Sequence, residues 1–183
     1  MHKHIGITVV SSVFFVSSVM AAGNGTINFT GAVNNQTCNV AVNGASGATA
    51  ATITLPTVQS NILSEAGNIA GMTAFKMDVT DCAATSTSGA SMVKAYFEKG
   101  GSVDNNGRLL NTATGGASNV VLELVDGTGN SALKAGDISQ NTGNFVTINA
   151  GNTTLPYSVR YYSTGVATAG AVTSNVTYSL IYN

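Results

Sequence analysis

The 183-residue sequence predicts an all-β sandwich of seven or eight short strands, an immunoglobulin-like number. From Gly25 onward, short stretches alternate apolar and polar side chains with the period of two that a half-buried strand requires. The chain is rich in Gly, Ala, Thr, Ser, Asn and Val and poor in long helix formers, a mix that favours short strands with turn-prone connections. Turn signals separate the stretches, and there is neither a fixed-period repeat nor a domain linker.

The opening segment stands apart from this pattern. Met1 to His4 is a short basic start, Ile5 to Val19 is an apolar run softened by serine, and Val19 to Ala22 offers small residues for cleavage. This is the pattern of a secretory signal peptide over residues 1–21, cut after Ala21 or Ala22. It is too short for a membrane span, which takes about 20 apolar residues. Both histidines, His2 and His4, lie within it, and so does Lys3. The remainder of the chain holds six basic against eight acidic residues and no tryptophan. So low a charge density, with no basic stripe, argues against nucleic acid or an anionic membrane as partner.

The strands are read in chain order. The stretch GTINFTGAV sets Gly25, Ile27, Phe29, Gly31 and Val33 on one face, against Thr26, Asn28, Thr30 and Ala32 on the other. TCNVAV (37–42) is a short strand carrying the first cysteine, and a small-residue loop leads from it to the strand TITLP (52–56). SNILSEAGNIAG (60–71) is a weak helical candidate, with Ser60 or Asn61 as cap and glycines against it. TAFKMDVTDC (73–82) alternates Phe75, Met77 and Val79 and ends on the second cysteine. SMVKAYFE (91–98) is a strand, KGGSVDNNGR (99–108) a turn region, and NVVLELVD (119–126) a strand running into the hairpin signal Asp126-Gly127. Two strands lie in 144–165, the second alternating Leu155, Tyr157, Val159 and Tyr161. VTYSLIYN closes the chain, with Val176, Tyr178, Leu180 and Tyr182 on one face.

Cys38 and Cys82 form an even pair in an exported chain, which reads as a disulfide rather than two buried thiols. Closing a loop of about 45 residues stabilises a fold by roughly 4 kcal/mol in the chain-entropy model. Two cysteines alone cannot complete a zinc site.

The residues for catalysis are missing. Without histidine beyond the signal, no Ser-His-Asp or Cys-His centre can be built. Ser91 to Lys94 matches Ser-x-x-Lys, but that motif needs a helix and companion elements, and here it falls in a strand. Asp78 and Asp81 flank a strand end and read as solvated turn groups rather than cation ligands. Glu123, between Leu122 and Leu124, is expected to face outward. No catalytic, cofactor, metal or small-molecule site emerges.

Taken in this order, the segments GTINFTGAVNNQTCNV, FKMDVTDC, SNVVLELVDGTGN, NTTLPYSVRYYSTGVATAGAV and VTYSLIYN, with the cysteine spacing and the penultimate tyrosine, resemble the major-subunit pilins of type 1 fimbriae. These are products of the bacterial chaperone-usher pathway. The resemblance runs from Gly25 to Asn183. It implies a six-stranded, incomplete immunoglobulin-like sandwich (the pilin fold) that lacks its last strand and is completed by a donor strand from a neighbouring subunit. The resemblance thereby accounts for a strong strand signal on the final residues, since it implies that the strand expected next in the sheet comes from another molecule.

The resemblance further implies a donor-strand extension over 22–36, with Gly25, Ile27, Phe29, Gly31 and Val33 inserting, and a pilin domain over 37–183. Val176, Tyr178, Leu180, Tyr182 and the Asn183 carboxylate would form the groove edge and meet a periplasmic chaperone. The implied partners are identical subunits in a homopolymer, the chaperone and an outer-membrane usher. The implied destination, through the periplasm, is an adhesive fimbria on the cell surface. A head-to-tail contact of this kind does not close, and so generates a filament. The alternative is a minor tip or adaptor pilin, or an adhesin, of the same fold.

Overall fold

The computed structural model describes residues 26–28, 30–31, 38–46, 50–82 and 91–183. The expected signal segment 1–21, and Gly25, Phe29 and Val33, lie outside the described residues. The described body belongs to the unit Asn34–Asn183.

Ten β elements build it: β1 (Asn39–Val42), β2 (Ala45–Ser46), β3 (Ile69–Thr80), β4 (Met92–Phe97), β5 (Leu109–Leu110), β6 (Val120–Asp126), β7 (Ala132–Leu133), β8 (Val146–Thr147), β9 (Asn152–Ser163) and β10 (Tyr178–Tyr182). They form two antiparallel sheets. The larger has the order β2-β1-β3-β9-β6-β5, with β7 on the far end of β6, and the smaller is β10-β4-β8. The count exceeds the expected six because two-residue ladders count as elements beside the long strands.

The long strands are those with the clearest alternation. β3 and β9 are twelve residues each and pair from Ile69↔Tyr162 to Thr80↔Asn152. Their inward residues, Met77, Val79, Leu155, Tyr157 and Val159, are buried with Leu122 and Leu124 of β6 and Val93 and Phe97 of β4. Tyr157 stacks edge-on against Phe97 (5.1 Å between centroids) and tilted against Phe75 (5.7 Å). Its hydroxyl oxygen accepts the Ala95 N–H at 2.9 Å, which satisfies the polar end of the ring inside the core.

The expected helix over 60–71 is instead a single 3₁₀ turn, Ser60–Leu63, preceded by Gln59, which makes no side-chain cap bond. Gly67 and Gly71 both hold positive φ, which a continuing helix does not tolerate, and Ile69 onward joins β3. β3 bulges between Ala70 and Thr73. Gly71 is required there: φ is 62°, and a Cβ would lie 2.8 Å from the Tyr161 ring.

Cys38, just before β1, is disulfide-bonded to Cys82, just after β3, with Cα atoms 4.2 Å apart. The β1–β3 register, Asn39↔Thr80, already brings the two together, so the bridge locks an existing pairing.

Candidate functional site

On one side of the body the two sheets fail to close. Residues 51–58 run extended, with Ala51, Ile53 and Leu55 turned inward and Thr52 and Thr54 outward. Residues 172–177 do the same, with Val172, Ser174 and Val176 inward and Thr173 and Asn175 outward. Both therefore have the side-chain pattern of a strand, yet neither is in a sheet. Among the described residues, no backbone hydrogen bond reaches Ala51–Val58, and none reaches Ser174–Val176. The segment TITLP, expected as a strand, is thus extended but unpaired.

Between these walls lies a cavity of about 640 Å³, floored by Phe75 and Met77 of β3, Phe97 of β4, Leu122 and Leu124 of β6 and Val159 of β9. That is about four times the roughly 150 Å³ that accommodates one benzene in an apolar core, so it suits a row of side chains rather than one small group. A second cavity of about 270 Å³ lies farther along the same two segments, between Val58 and Val172, over Leu63, Ala117, Val120 and Ala167. Ser174, on the wall, holds a buried hydroxyl with no hydrogen-bond partner among the described residues. An open apolar groove with unpaired backbone on both rims is costly to leave in water.

The terminal strand follows directly on the 172–177 wall and reaches the cavity at Tyr178. β10 pairs with β4 from Tyr178↔Phe97 to Tyr182↔Val93, which leaves its other edge free of ladder bonds among the described strands. Val176, Leu180 and Tyr182 pack on the core, whereas Tyr178 is more exposed. Tyr182 Oη donates to Cys38 Sγ at 3.3 Å, and burial pushes the Tyr182 hydroxyl pKa up. Asn183 is tied down by its own N–H to the Met92 carbonyl and by the Ser91 and Met92 N–H groups to its oxygen, all at 3.0 Å. Of the expected groove-edge residues, Val176 and Tyr178 line the cavity, and Leu180, Tyr182 and Asn183 follow them along the chain. Of the expected inserting face, Ile27 is 78% exposed and a Cβ on Gly31 would meet nothing within 4 Å.

Two features escape a reading of the sequence. Gln140, fully buried in the 3₁₀ turn Ile138–Asn141, accepts the Phe97 N–H and donates to the Phe97 and Lys134 carbonyls, which fixes the ring at the groove floor. Glu123 lies on the face opposite Leu122 and Leu124, as expected, but that face is not solvated there. It is 3% exposed and accepts from Arg108 Nε (3.0 Å), Arg160 Nε (2.8 Å) and Arg160 Nη2 (2.5 Å). Arg108 also stacks on the Tyr162 ring at 3.7 Å. The network clamps the sheet directly behind the groove residues Leu122 and Leu124. Asp78, by contrast, is a surface group, bound by Thr154 and Lys76, and those two bonds lower its pKa. Asp81 accepts from Asn39 and Thr80.

An all-β, immunoglobulin-like sandwich with an apolar groove open along one side defines the class of chaperone-usher pilins. The fold agrees with that of a solved chaperone-usher pilus subunit, at TM-score 0.60 and 16% identity, over 91% of this chain and all of that one. The family model described as type-1 fimbrial protein, A, matches residues 55–183. The chain is 41% identical to the F17 fimbrial protein of Escherichia coli, over 91% of each chain. It is 40% identical to the major fimbrial subunit SMF-1 of Stenotrophomonas maltophilia, over 88% of this chain and 94% of that one. The chain belongs to the type-1 fimbrial protein family.

Proposed function

We propose that this chain is the repeating subunit of an adhesive surface filament, joined head to tail by insertion of one copy's N-terminal strand into the groove of the next. The observation that carries this reading is the pair of walls over an apolar floor, with no backbone bonds among the described residues at Ala51–Val58 on one side and Ser174–Val176 on the other. A strand laid between them satisfies both rims and buries its apolar face. The segment 25–33 has the required alternation, with Gly25, Ile27, Phe29, Gly31 and Val33 on one side. Burying Ile27, Phe29 and Val33 contributes roughly 1.5–3 kcal/mol each, about 5–9 together, before any backbone bonds. Gly31 suits a place where backbones approach closely.

Before assembly the groove is held by a periplasmic chaperone, which pairs along Val176, Tyr178, Leu180 and Tyr182 and meets the Asn183 carboxylate. An outer-membrane usher then passes subunits to the surface. The division proposed with this reading is a signal over 1–21, a donor extension over 22–36 and a receiving body over 37–183. Similarity to a major fimbrial subunit supports the major role over a minor tip or adaptor role.

The test is Phe29→Asp. It places a carboxylate where the groove offers only apolar partners, at a cost of several kcal/mol. The subunit should fold and be captured by its chaperone, yet no polymer should reach the surface. If the variant is lost before capture, Phe29 belongs to its own domain's core and the reading fails.

A further inference from the structure

We propose that the pole of the body beyond the small end of the groove is a second docking surface. Its occupant is the body of the same neighbouring copy whose strand fills the groove. This rests on the strand exchange proposed above and adds a contact outside the groove.

Size sets the direction of the inserted strand. The larger compartment lies between 51–55 and 174–178, and the smaller between Val58 and Val172. Along 25–33 the inserting face carries Ile27 and Phe29, then Gly31, then Val33. The two large side chains match the larger compartment, Gly31 falls where the walls pass from one to the other, and Val33 fits the smaller. Reversed, Phe29 and Ile27 would crowd the smaller compartment and Gly31 and Val33 would leave the larger one underfilled. The strand therefore leaves the groove at the Val58–Val172 end.

Its own body cannot be far away. From Val33 to Cys38 is five residues, which span at most about 18 Å when extended. The neighbour's body must abut this pole. The pole is built for contact: Ile62 (51% exposed), Ile69 (46%), Met72 (51%) and Val166 (68%) all display apolar side chains there. The segments that carry them are bonded to one another, Ala167 N–H to the Leu63 carbonyl and Ser163 N–H to the Asn68 carbonyl. Across 58–72 and 163–172 the only charged residue is Glu65. Clustered exposure of large apolar side chains marks an interaction surface.

The test uses cysteine pairs in assembled filaments, since both native cysteines are engaged in the disulfide. One chain carries Gln36→Cys with Val166→Cys. A control carries Gln36→Cys with Ile138→Cys, a site equally open but on the turn after β7, where Gly136 is bonded to β4. Under mild oxidation the Val166 pair should give cross-linked multimers that survive boiling without reductant, at roughly tenfold the yield of the control, as tethering to a short linker demands. Equal yields, with the heat-labile ladder of multimers intact, would overturn the docking surface and leave strand exchange standing. Absence of any ladder in the unmodified chain overturns both. If the cysteines themselves block assembly, Met72→Lys with Val166→Lys decides: a lower temperature of ladder collapse supports the contact, and an unchanged one defeats it.

Discussion

Replacing Glu123 with alanine removes one carboxylate and strands two guanidinium groups. Truncating one partner of a buried ion pair typically costs about 3–5 kcal/mol, because the remaining charge stays desolvated. Here the side chains of Arg108 and Arg160 retain 23% and 17% of their exposure, so water relieves part of that penalty. The expected loss is therefore about 2–3 kcal/mol. For a chain of this size it lowers the melting temperature by about 4–12 °C. The assay is urea and thermal unfolding of the full chain with its disulfide intact, monitored by far-ultraviolet circular dichroism. Replacing all three residues together, Glu123→Leu with Arg108→Met and Arg160→Met, should recover most of the loss, because no charge is left stranded. A remainder of about 0.5–2 kcal/mol should persist from the lost stacking of Arg108 on Tyr162. If Glu123→Ala matches the parent, or if the triple variant is as weak as the single one, stranded charge is not what the network prevents.

Three further outcomes are expected of the same structure. Replacing Cys38 and Cys82 with alanine should cost roughly 4 kcal/mol and speed subunit degradation in the periplasm, while the parent protein should show no free thiol on titration. Burial pushes the Tyr157 hydroxyl up to about 12, more than the Ala95 N–H bond to its oxygen pulls it down, against an ordinary 10.0. The fold favours the neutral phenol, so its contribution is fully present below about pH 10 and is lost as pH rises from about 10 to about 12. Phenolate absorbance should show a late-titrating tyrosine that disappears in Tyr157→Phe, a variant that also loses about 1–3 kcal/mol through the orphaned Ala95 N–H. Tyr182→Asp should abolish chaperone capture, and a normal yield of the chaperone–subunit complex by co-purification would refute the role given to β10.

The long strands were legible because the period-two pattern works wherever one face is core. Phe75, Met77 and Val79, and Leu155, Tyr157 and Val159, turn inward as their alternation requires. Glu123 keeps to the rule and yet is buried, for an identifiable reason. Alternation shows which face a residue takes but not whether that face is wet, and the covering arginines come from 15 and 37 residues away. Gln140 was equally hidden, since nothing local marks a glutamine whose partners are Phe97 and Lys134. The groove walls were half legible. Thr52 to Pro56 has the alternation of a strand, but no local pattern records that a ladder partner is missing. Only the resemblance of the whole chain pointed to an incomplete sheet. The glycines at 67 and 71 were visible, and their φ values explain why the helical candidate gave way to a turn and a bulge.

The position of the disulfide bears on how a filament joined in the proposed way would carry load. Under tension, force would enter each body through the residues just before Cys38. Without a covalent link it would act on β1, a four-residue strand near the edge of its sheet, and peel it off one hydrogen bond at a time. The bridge passes the pull straight to Cys82, at the end of β3, which is held along its length between β1 and β9. Detaching β3 means breaking its ladder to β9 in shear, many bonds at once, rather than in sequence. Stretching single filaments before and after reduction reads this directly: reduced filaments should yield at lower force, and equal yield forces would show that the load takes another path.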